Sequence, residues 1–236
     1  MNSQHPILFY GVPEGCSFGS IVALEWLGEP YRLCRIPMPE LVSGAAYKRL
    51  NPVGETPTYR SEDGRLISES MAILNHIAAR GIARGLGYAQ GSAGFDRLNQ
   101  MLAFLNTSFF NAFSPLWYAL EHGSEGPAKD ALRAYGRANV EKTHAQLEAL
   151  LEGREWLAGD ERTVADAYFM GIARWADFHQ GVNRRAYPGV HRLHERLLQD
   201  PAVKLAYAIE HEQALPAGTA FAGHLGLEEA LRLAAR

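Results

Sequence analysis

The chain has 236 residues, a formal net charge of −3 and 21% charged residues, so it can bury a sizeable core but offers no cluster of Lys and Arg for nucleic acid. Its two cysteines are too few for a disulfide framework, and the first six residues lack the basic segment and apolar run of a secretory signal. No apolar run approaches the roughly 20 residues that cross a bilayer. These features predict a cytoplasmic protein that binds neither nucleic acid nor membrane.

The first part of the chain alternates between strand and helix patterns. Short apolar or alternating runs predict strands, and apolar residues three and four apart predict helices. The predicted elements are strands at 7–10, 31–36, 58–61 and 65–67 and helices at 17–27, 45–50 and 69–79. Because a helix joins the first two strands, we expect them to be parallel. An Asp-Gly turn joins the last two as a hairpin.

The rest of the chain shows only helix patterns. A segment with five glycines at 81–94 precedes them and reads as a linker. The predicted helices span 95–120, 128–151, 164–178, 188–198 and 202–212. Thr163 and Asp166 form a predicted capping box at the start of the third of these. From residue 217 we expect a loose loop and a short helix at 227–234.

Two residues at the turn from the first strand into the first helix carry candidate chemistry. Cys16 would lie at the positive end of the helix dipole, which lowers the pKa of a thiol; the alternative is a small buried residue at a helix start. Ser17 is a further candidate donor to a thiolate, or an ordinary N-cap serine. Cys34 lies inside the second strand, and we interpret it as an inert buried residue.

Three short segments and one more distant segment occur in an order and spacing known from one family. They are Pro13-Glu14-Gly15-Cys16-Ser17, Gly54-Glu55-Thr56-Pro57-Thr58, the pair Glu69-Ser70, and Thr163-Val-Ala-Asp166-Ala-Tyr far downstream. Together they resemble the glutathione S-transferases, most closely the bacterial beta class, over residues 7–213. The resemblance implies an α/β thioredoxin-like N-terminal domain followed by an all-α C-terminal helical bundle. The expected bounds are 1–82 for the first domain, 83–94 for the linker, 95–215 for the helical domain and 216–236 for a C-terminal extension.

The resemblance implies a glutathione site on the first domain. Pro57 is expected to be cis, which turns the backbone of Thr56 toward the cysteinyl part of glutathione. Ser70 and its N–H are expected to hold the γ-glutamyl carboxylate, and Glu69 to face the neighbouring ammonium. From the residues alone, this pair is also a plain helix start, for which Ser68 could supply the cap.

The family motif also implies catalytic candidates. Pro-x-x-Cys-Ser carries the active-site cysteine in the family, which favours Cys16, with Ser17 beside it. Tyr10 matches the tyrosine of the motif by type. It lies six residues before Cys16, whereas the family has five, so a structural aromatic residue is the alternative.

Two residues of the beta-class pattern are absent. Its histidine in the long fourth helix corresponds to Phe110 or Phe113, depending on the alignment, so the imidazole is missing. The loop at 37–40 lacks the lysine that family members use to hold the glycine carboxylate. Lys48 or Arg49 is a candidate replacement.

The sequence supports three functions. The first is a homodimeric glutathione transferase that conjugates the glutathione thiolate to a hydrophobic electrophile. The second is thiol–disulfide exchange through Cys16, and the third is a non-catalytic protein that binds glutathione or another ligand. Glutathione is the expected co-substrate, and no metal is expected because His191 and His194 have no third ligand at metal spacing. The aromatic fourth helix favours either a dimer surface or the wall of an apolar electrophile pocket.

Overall fold

The computed structural model describes residues 5–38 and 40–234. Residues 1–4, 39 and 235–236 lie outside this part. The expected start of the first domain, the expected end of the extension and one residue of the loop at 37–40 therefore lie outside the described residues. Among the described residues, no helix has the length and apolar character needed to cross a membrane. The same residues contain no group of three or more His, Cys, Asp or Glu that could hold a metal ion.

The strands form one mixed sheet in the order β4-β3-β1-β2-β5. They are β1 (Ile7–Val12), β2 (Tyr31–Pro37), β3 (Thr58–Arg60), β4 (Leu66–Ser68) and β5 (Phe221–His224). As predicted, β1 and β2 are parallel, and β3 and β4 form an antiparallel hairpin. β1 is buried along its whole length and lies at the centre of the sheet, so its C-terminal end can present residues to cavities on both sides.

Most of the helices agree with the predicted ranges, but those predicted at 95–120 and 164–178 are each divided. They are α1 (Phe18–Leu27), α2 (Ala45–Lys48), α3 (Ser70–Arg80), α4 (Ala93–Phe104), α5 (Ser114–Glu121), α6 (Pro127–Leu150), α7 (Val164–Ala173), α8 (Trp175–Phe178), α9 (Pro188–Gln199), α10 (Pro201–Glu210) and α11 (Leu227–Ala234). Helices α4 to α10 form the all-α bundle. The fold is therefore the predicted thioredoxin-like domain joined to a helical domain.

The predicted helix at 95–120 is interrupted. After α4 the backbone takes a wider π-helical turn at Leu105–Phe110 and a 3-10 turn at Asn111–Phe113 before α5 begins. Phe109 and Phe113 are fully buried, whereas Tyr118 is exposed. The aromatic residues of this segment thus belong largely to the core of the chain, and only a smaller part of them is available for a dimer surface.

A close contact between α1 and α7 joins the two domains. A Cβ on Gly19 would lie 2.6 Å from the carbonyl oxygen of Ala167, so a larger residue would push the helices apart. The next residue of α7, Tyr168, lines the same cavity as Cys16. The helix contact therefore brings a side chain of the helical domain to the loop after β1.

The capping box of α7 is confirmed, and it is more extensive than predicted. Asp166 is fully buried, and its carboxylate accepts from the backbone N–H of Thr163 at 2.8 Å and from the Thr163 hydroxyl at 3.2 Å. It also accepts from the backbone N–H of Leu157 at 3.0 Å. One side chain thus caps a helix and anchors the loop before it.

The C-terminal extension differs from the expected loose loop. Its helix is present as α11, but residues before it form β5, which pairs in parallel with β2 at the edge of the sheet. The backbone N–H of Leu225 donates to the carbonyl oxygen of Leu33 at 2.8 Å. Leu225 and Ala230 are buried with Cys34 in a second small core on the sheet. The sequence does not indicate this strand, because Phe-Ala-Gly-His is short and contains a glycine. The segment pairs with the open edge of β2 instead of following a local pattern.

Candidate active site

A cavity of about 480 Å³ lies where the loops of the first domain face the helical domain. Its wall comes from the loop after β1, the segment before β3, the start of α3, the π-helical turn and α7. It is lined by Cys16, Asn51, Glu55, Thr56, Pro57, Glu69, Ser70, Asn106, Phe110, Asn111 and Tyr168. Five of the seven residues predicted for the site therefore meet in one cavity.

Cys16 lies at the floor of this cavity with two hydrogen bonds. Its Sγ donates to the carbonyl oxygen of Thr56 at 3.4 Å, and the Ser70 hydroxyl donates to Sγ at 3.6 Å. Burial raises the pKa of the Cys16 thiol, although the Ser70 hydrogen bond and the charge of Arg174 act in the opposite direction. The predicted lowering of this pKa is therefore wrong, because loss of solvent outweighs the helix terminus.

The loop that carries Cys16 is anchored from the helical domain. Arg174 is buried; it donates to the carbonyl oxygen of Gly15 at 2.8 Å, and it also pairs with Glu14. The same guanidinium pairs with the buried carboxylate of Glu210 at 2.7 Å. These contacts hold the backbone beside Cys16 in one arrangement, which favours a preformed site.

The segment before β3 presents backbone groups to the cavity. The Thr56–Pro57 peptide bond is cis. The carbonyl of Glu55 accepts from the side chains of Tyr47 at 3.0 Å and Asn51 at 2.7 Å, so this turn is held from behind. The carbonyl of Thr56, in contrast, accepts only from Cys16 among the described residues.

Glu69 and Ser70 begin α3 at the edge of the cavity. Glu69 is the N-cap residue with φ +70°, a conformation that non-glycine residues rarely adopt, and its side chain makes no capping hydrogen bond. Ser68, the alternative cap, is the last residue of β4 and has no such role. The pKa of Glu55 is raised by burial and by the charge of Glu69, so two carboxyl groups lie near one another on this wall.

Ser17 and Tyr10 do not reach the cavity. The buried Ser17 hydroxyl accepts from the backbone N–H of Gly11 at 3.0 Å, and it makes no capping bond to α1. β1 continues to Val12, so Tyr10 lies within the strand and not at its end. Its hydroxyl is 3.0 Å from Nε2 of His224 in a different cavity. Neither residue lines the cavity: pairing in the sheet carries β1 beyond Tyr10, and the Ser17 hydroxyl is held by the Gly11 N–H.

The π-helical turn supplies Asn106, which the sequence did not indicate, beside Phe110, which one alignment puts at the position of the missing histidine. Asn106 and Phe110 both line the cavity, and the Tyr168 hydroxyl donates to Oδ1 of Asn106 at 2.7 Å. The pKa of Tyr168 is raised by burial and further by Cys16 and Glu69, so this hydroxyl stays a donor. With Oδ1 engaged, the Asn106 amide nitrogen has no partner among residues 5–38 and 40–234. Only the irregular turn, which has no sequence signal, makes these residues face the site.

The two residues missing from the family pattern are not replaced by cations at the cavity. Phe110 lines the wall, whereas Phe113 packs at 5.7 Å from the ring of Trp175, so neither alignment brings an imidazole. Lys48 and Arg49 are exposed and outside the lining, which among the described residues contains no Lys or Arg. Cys34 is buried, as predicted, and burial raises its pKa to about 12, which favours its interpretation as an inert residue.

The chain is similar to known proteins over both of its domains. The family model described as "Glutathione S-transferase, N-terminal domain" matches residues 16–80, and the one described as "Glutathione S-transferase, C-terminal domain" matches residues 103–201. The chain is 30% identical over 201 residues to glutathione S-transferase GST-4.5 of Xanthomonas campestris pv. campestris, which covers 85% of this chain and 97% of the relative.

Two solved structures extend this likeness to the fold. A sphingomonad glutathione S-transferase complexed with glutathione aligns at a TM-score of 0.75 and 30% identity, covering 87% of this chain and 98% of its own. The bacterial beta class enzyme of Sphingomonas chungbukensis aligns at 0.74 and 28% identity, covering 86% and 98%.

Proposed function

The chain belongs to the glutathione S-transferase family, and we propose that the cavity around Cys16 and Ser70 binds glutathione and delivers its thiolate to a hydrophobic electrophile. The observation that carries this proposal is the meeting of Cys16, Thr56 and Ser70 on one wall. The similar proteins are glutathione S-transferases, so conjugation of glutathione is the supported reaction. Thiol–disulfide exchange and non-catalytic binding are not favoured.

The start of α3 is the proposed anchor for the γ-glutamyl end of glutathione. Backbone N–H groups at the first turn of a helix have no partner within the helix and bind carboxylates. The Ser70 hydroxyl adds a donor, and the carboxylates of Glu69 and Glu55 suit the ammonium group. The described lining contains no Lys or Arg, so these N–H groups would be the main contacts of the γ-glutamyl carboxylate.

The proposed site for the sulfur lies between Cys16 and Asn106. The backbone of Thr56 would pair with the cysteinyl part of the ligand, releasing the Cys16 S–H from its present acceptor. The free Asn106 amide N–H would then donate to the glutathione thiolate. Donors to the charged form lower the pKa of a thiol, so this arrangement would favour the nucleophilic thiolate near neutral pH.

Phe110 is the proposed contact for the electrophile. Its ring lines the cavity and packs at 5.0 Å from the ring of Trp175, so it offers a fixed aromatic face. An aromatic or aliphatic electrophile would bury its apolar surface there.

The function is tested by turnover with two kinds of second substrate. We expect conjugation of a chloronitrobenzene electrophile and little reaction with a mixed disulfide of glutathione. Treatment with oxidised glutathione should add little glutathione mass to Cys16, because a thiol with a raised pKa forms less of the thiolate that attacks disulfides. Turnover of the mixed disulfide alone, lost in Cys16→Ala and kept in Cys34→Ala, would establish thiol–disulfide exchange instead.

Two replacements of Glu69 should have the same effect on glutathione binding and different effects on the stability of the fold. Glu69→Gly and Glu69→Ala should each weaken glutathione binding about tenfold, because both remove the carboxylate proposed to face the ammonium. Since Glu69 has φ +70°, which glycine adopts without strain, the Gly variant should be more stable than the Ala variant by about 1 kcal/mol. Calorimetric titration and chemical denaturation measure the two effects. Unchanged affinity in both variants would remove Glu69 from the site.

We also propose that the protein is a homodimer. Tyr118, Leu120 and Phe178 are exposed in the helical domain, at 59%, 53% and 48%, and soluble monomers rarely expose large apolar patches. A two-fold dimer would cover them. Light scattering should give about twice the 26.0 kDa of the single chain, and a 26.0 kDa particle at micromolar concentration would exclude the dimer.

A cytoplasmic location is part of the same proposal. Both cysteines are free, and reducing compartments keep thiols in that form. Recovery of the native protein outside the cytoplasm on cell fractionation would contradict it.

A further inference from the structure

A second cavity, of about 500 Å³, lies between the end of α10 and the C-terminal extension. It shares no lining residue with the cavity around Cys16. Tyr10 and Arg35 form its polar side, and the extension closes it with His224 to Leu227. The family models end before this segment, at residue 201. The segment that closes the cavity is therefore a part of the chain that those models leave unmatched.

Arg35 is the cation of this cavity, and its position is well defined. Its Nη1 donates to the carbonyl oxygens of Ile209 at 3.3 Å and Glu210 at 3.1 Å, at the C-terminal end of α10. Nε pairs with the carboxylate of Glu212 at 3.1 Å. Nη2 has no hydrogen-bond partner in the described part of the chain. The guanidinium thus offers one free nitrogen, Nη2, and a second, Nε, that already pairs with a carboxylate.

Glu212 holds its place on Arg35 only weakly. Its side chain is 71% exposed, and its backbone has φ +54°. Exposed ion pairs contribute little to stability, and a non-glycine residue with positive φ carries strain. A carboxylate from a ligand could therefore take over both Nε and Nη2 at small cost.

The remaining wall is mainly apolar. Leu215, Leu225, Leu227 and Ile209 line it, and the neutral polar groups are those of Gln213, Tyr10 and His224. Tyr10 and His224 bind each other at 3.0 Å. Cavities of this size with an apolar wall and few polar groups are typical of small-molecule sites.

We propose that this cavity binds an amphipathic monocarboxylate, such as a medium-chain fatty acid, with its carboxylate on Arg35 in place of Glu212. The apolar body lies against the leucines of the extension. This site is separate from the glutathione cavity, and it gives Tyr10 a place in ligand binding and not in catalysis.

The test is calorimetric titration of the full chain with decanoate, below its micelle-forming concentration and in saturating glutathione. We expect one decanoate per chain, with decanol bound at least about tenfold more weakly because it lacks the charge. Glu212→Gln should bind decanoate severalfold more tightly, since the competing carboxylate is gone. Leu215→Ser should bind it severalfold more weakly, through lost apolar contact.

Controls keep the outcome tied to this cavity. Glu212→Gln and Leu215→Ser should conjugate glutathione at the wild-type rate, because neither residue lines the cavity around Cys16. Equal affinity for decanol would overturn the role of Arg35. Decanoate binding that is seen without glutathione and lost in saturating glutathione, or unchanged affinity in both variants, would show that the acid binds elsewhere.

Discussion

Asp166→Ala is expected to lower the free energy of unfolding by about 4 kcal/mol, the largest stability effect that we predict for a single side chain. The substitution leaves two buried backbone donors, the N–H groups of Thr163 and Leu157, without an acceptor. Each such donor costs about 1 to 3 kcal/mol when it is neither paired nor hydrated. From sequence alone the expected loss is about 1 to 2 kcal/mol, because only the cap of α7 is visible there.

Two further variants test this explanation by chemical denaturation. Asp166→Asn keeps one acceptor oxygen and should lose about half as much stability as Asp166→Ala. Asp130→Ala, in the first turn of α6, removes an exposed carboxylate and should leave the midpoint nearly unchanged. The explanation would be contradicted if Asp166→Ala lost little unfolding free energy and the slope of that free energy against denaturant concentration were unchanged. Water would then replace the carboxylate at both donors.

The parts of the fold with strong local patterns were predictable. The apolar run of β1, the helical spacing of α1 and the alternation of β2 are each local, and a helix between two strands leaves little choice but a parallel pair. The Asp63-Gly64 turn between β3 and β4 is also a local signal, with Gly64 at φ +86°. Interpretation of these segments needed no information on the tertiary structure.

The parts that failed depend on contacts between distant segments. Tyr10 was placed at the end of a strand because its apolar neighbours end there, but pairing with β2 carries β1 on to Val12. β5 exists because the edge of β2 was open, and a four-residue segment with a glycine carries no pattern that indicates it. Cys16 was assigned a low pKa from its place before α1, whereas its burial depends on how the helical domain covers it.

Asn106→Ala is expected to reduce conjugation near neutral pH by about 10- to 100-fold, because it removes the proposed donor to the glutathione thiolate. Loss of one such donor raises the pKa of the bound thiol, and one pKa unit corresponds to about 1.4 kcal/mol. The KM for glutathione should change little, since the contacts at Thr56 and Ser70 remain. The rate should recover as the pH rises through the new pKa, where the thiolate forms without help. Ultraviolet absorbance of the bound thiolate, titrated against pH, measures the shift directly.

Neighbouring residues provide matched controls for this role. Asn111 lines the same cavity, but its amide already donates to the carbonyl of Thr107 at 3.0 Å, so Asn111→Ala should leave the pKa of bound glutathione unchanged. Tyr168→Phe removes the hydroxyl that orients Asn106 and should give a smaller shift in the same direction. Cys16→Ala should slow conjugation modestly, because a thiol is a weaker hydrogen-bond donor than an amide. The opposite result would be an unchanged pKa of bound glutathione in Asn106→Ala and a large rise in Cys16→Ala. Both residues line the cavity, so that result would show that Cys16, and not Asn106, donates to the glutathione sulfur.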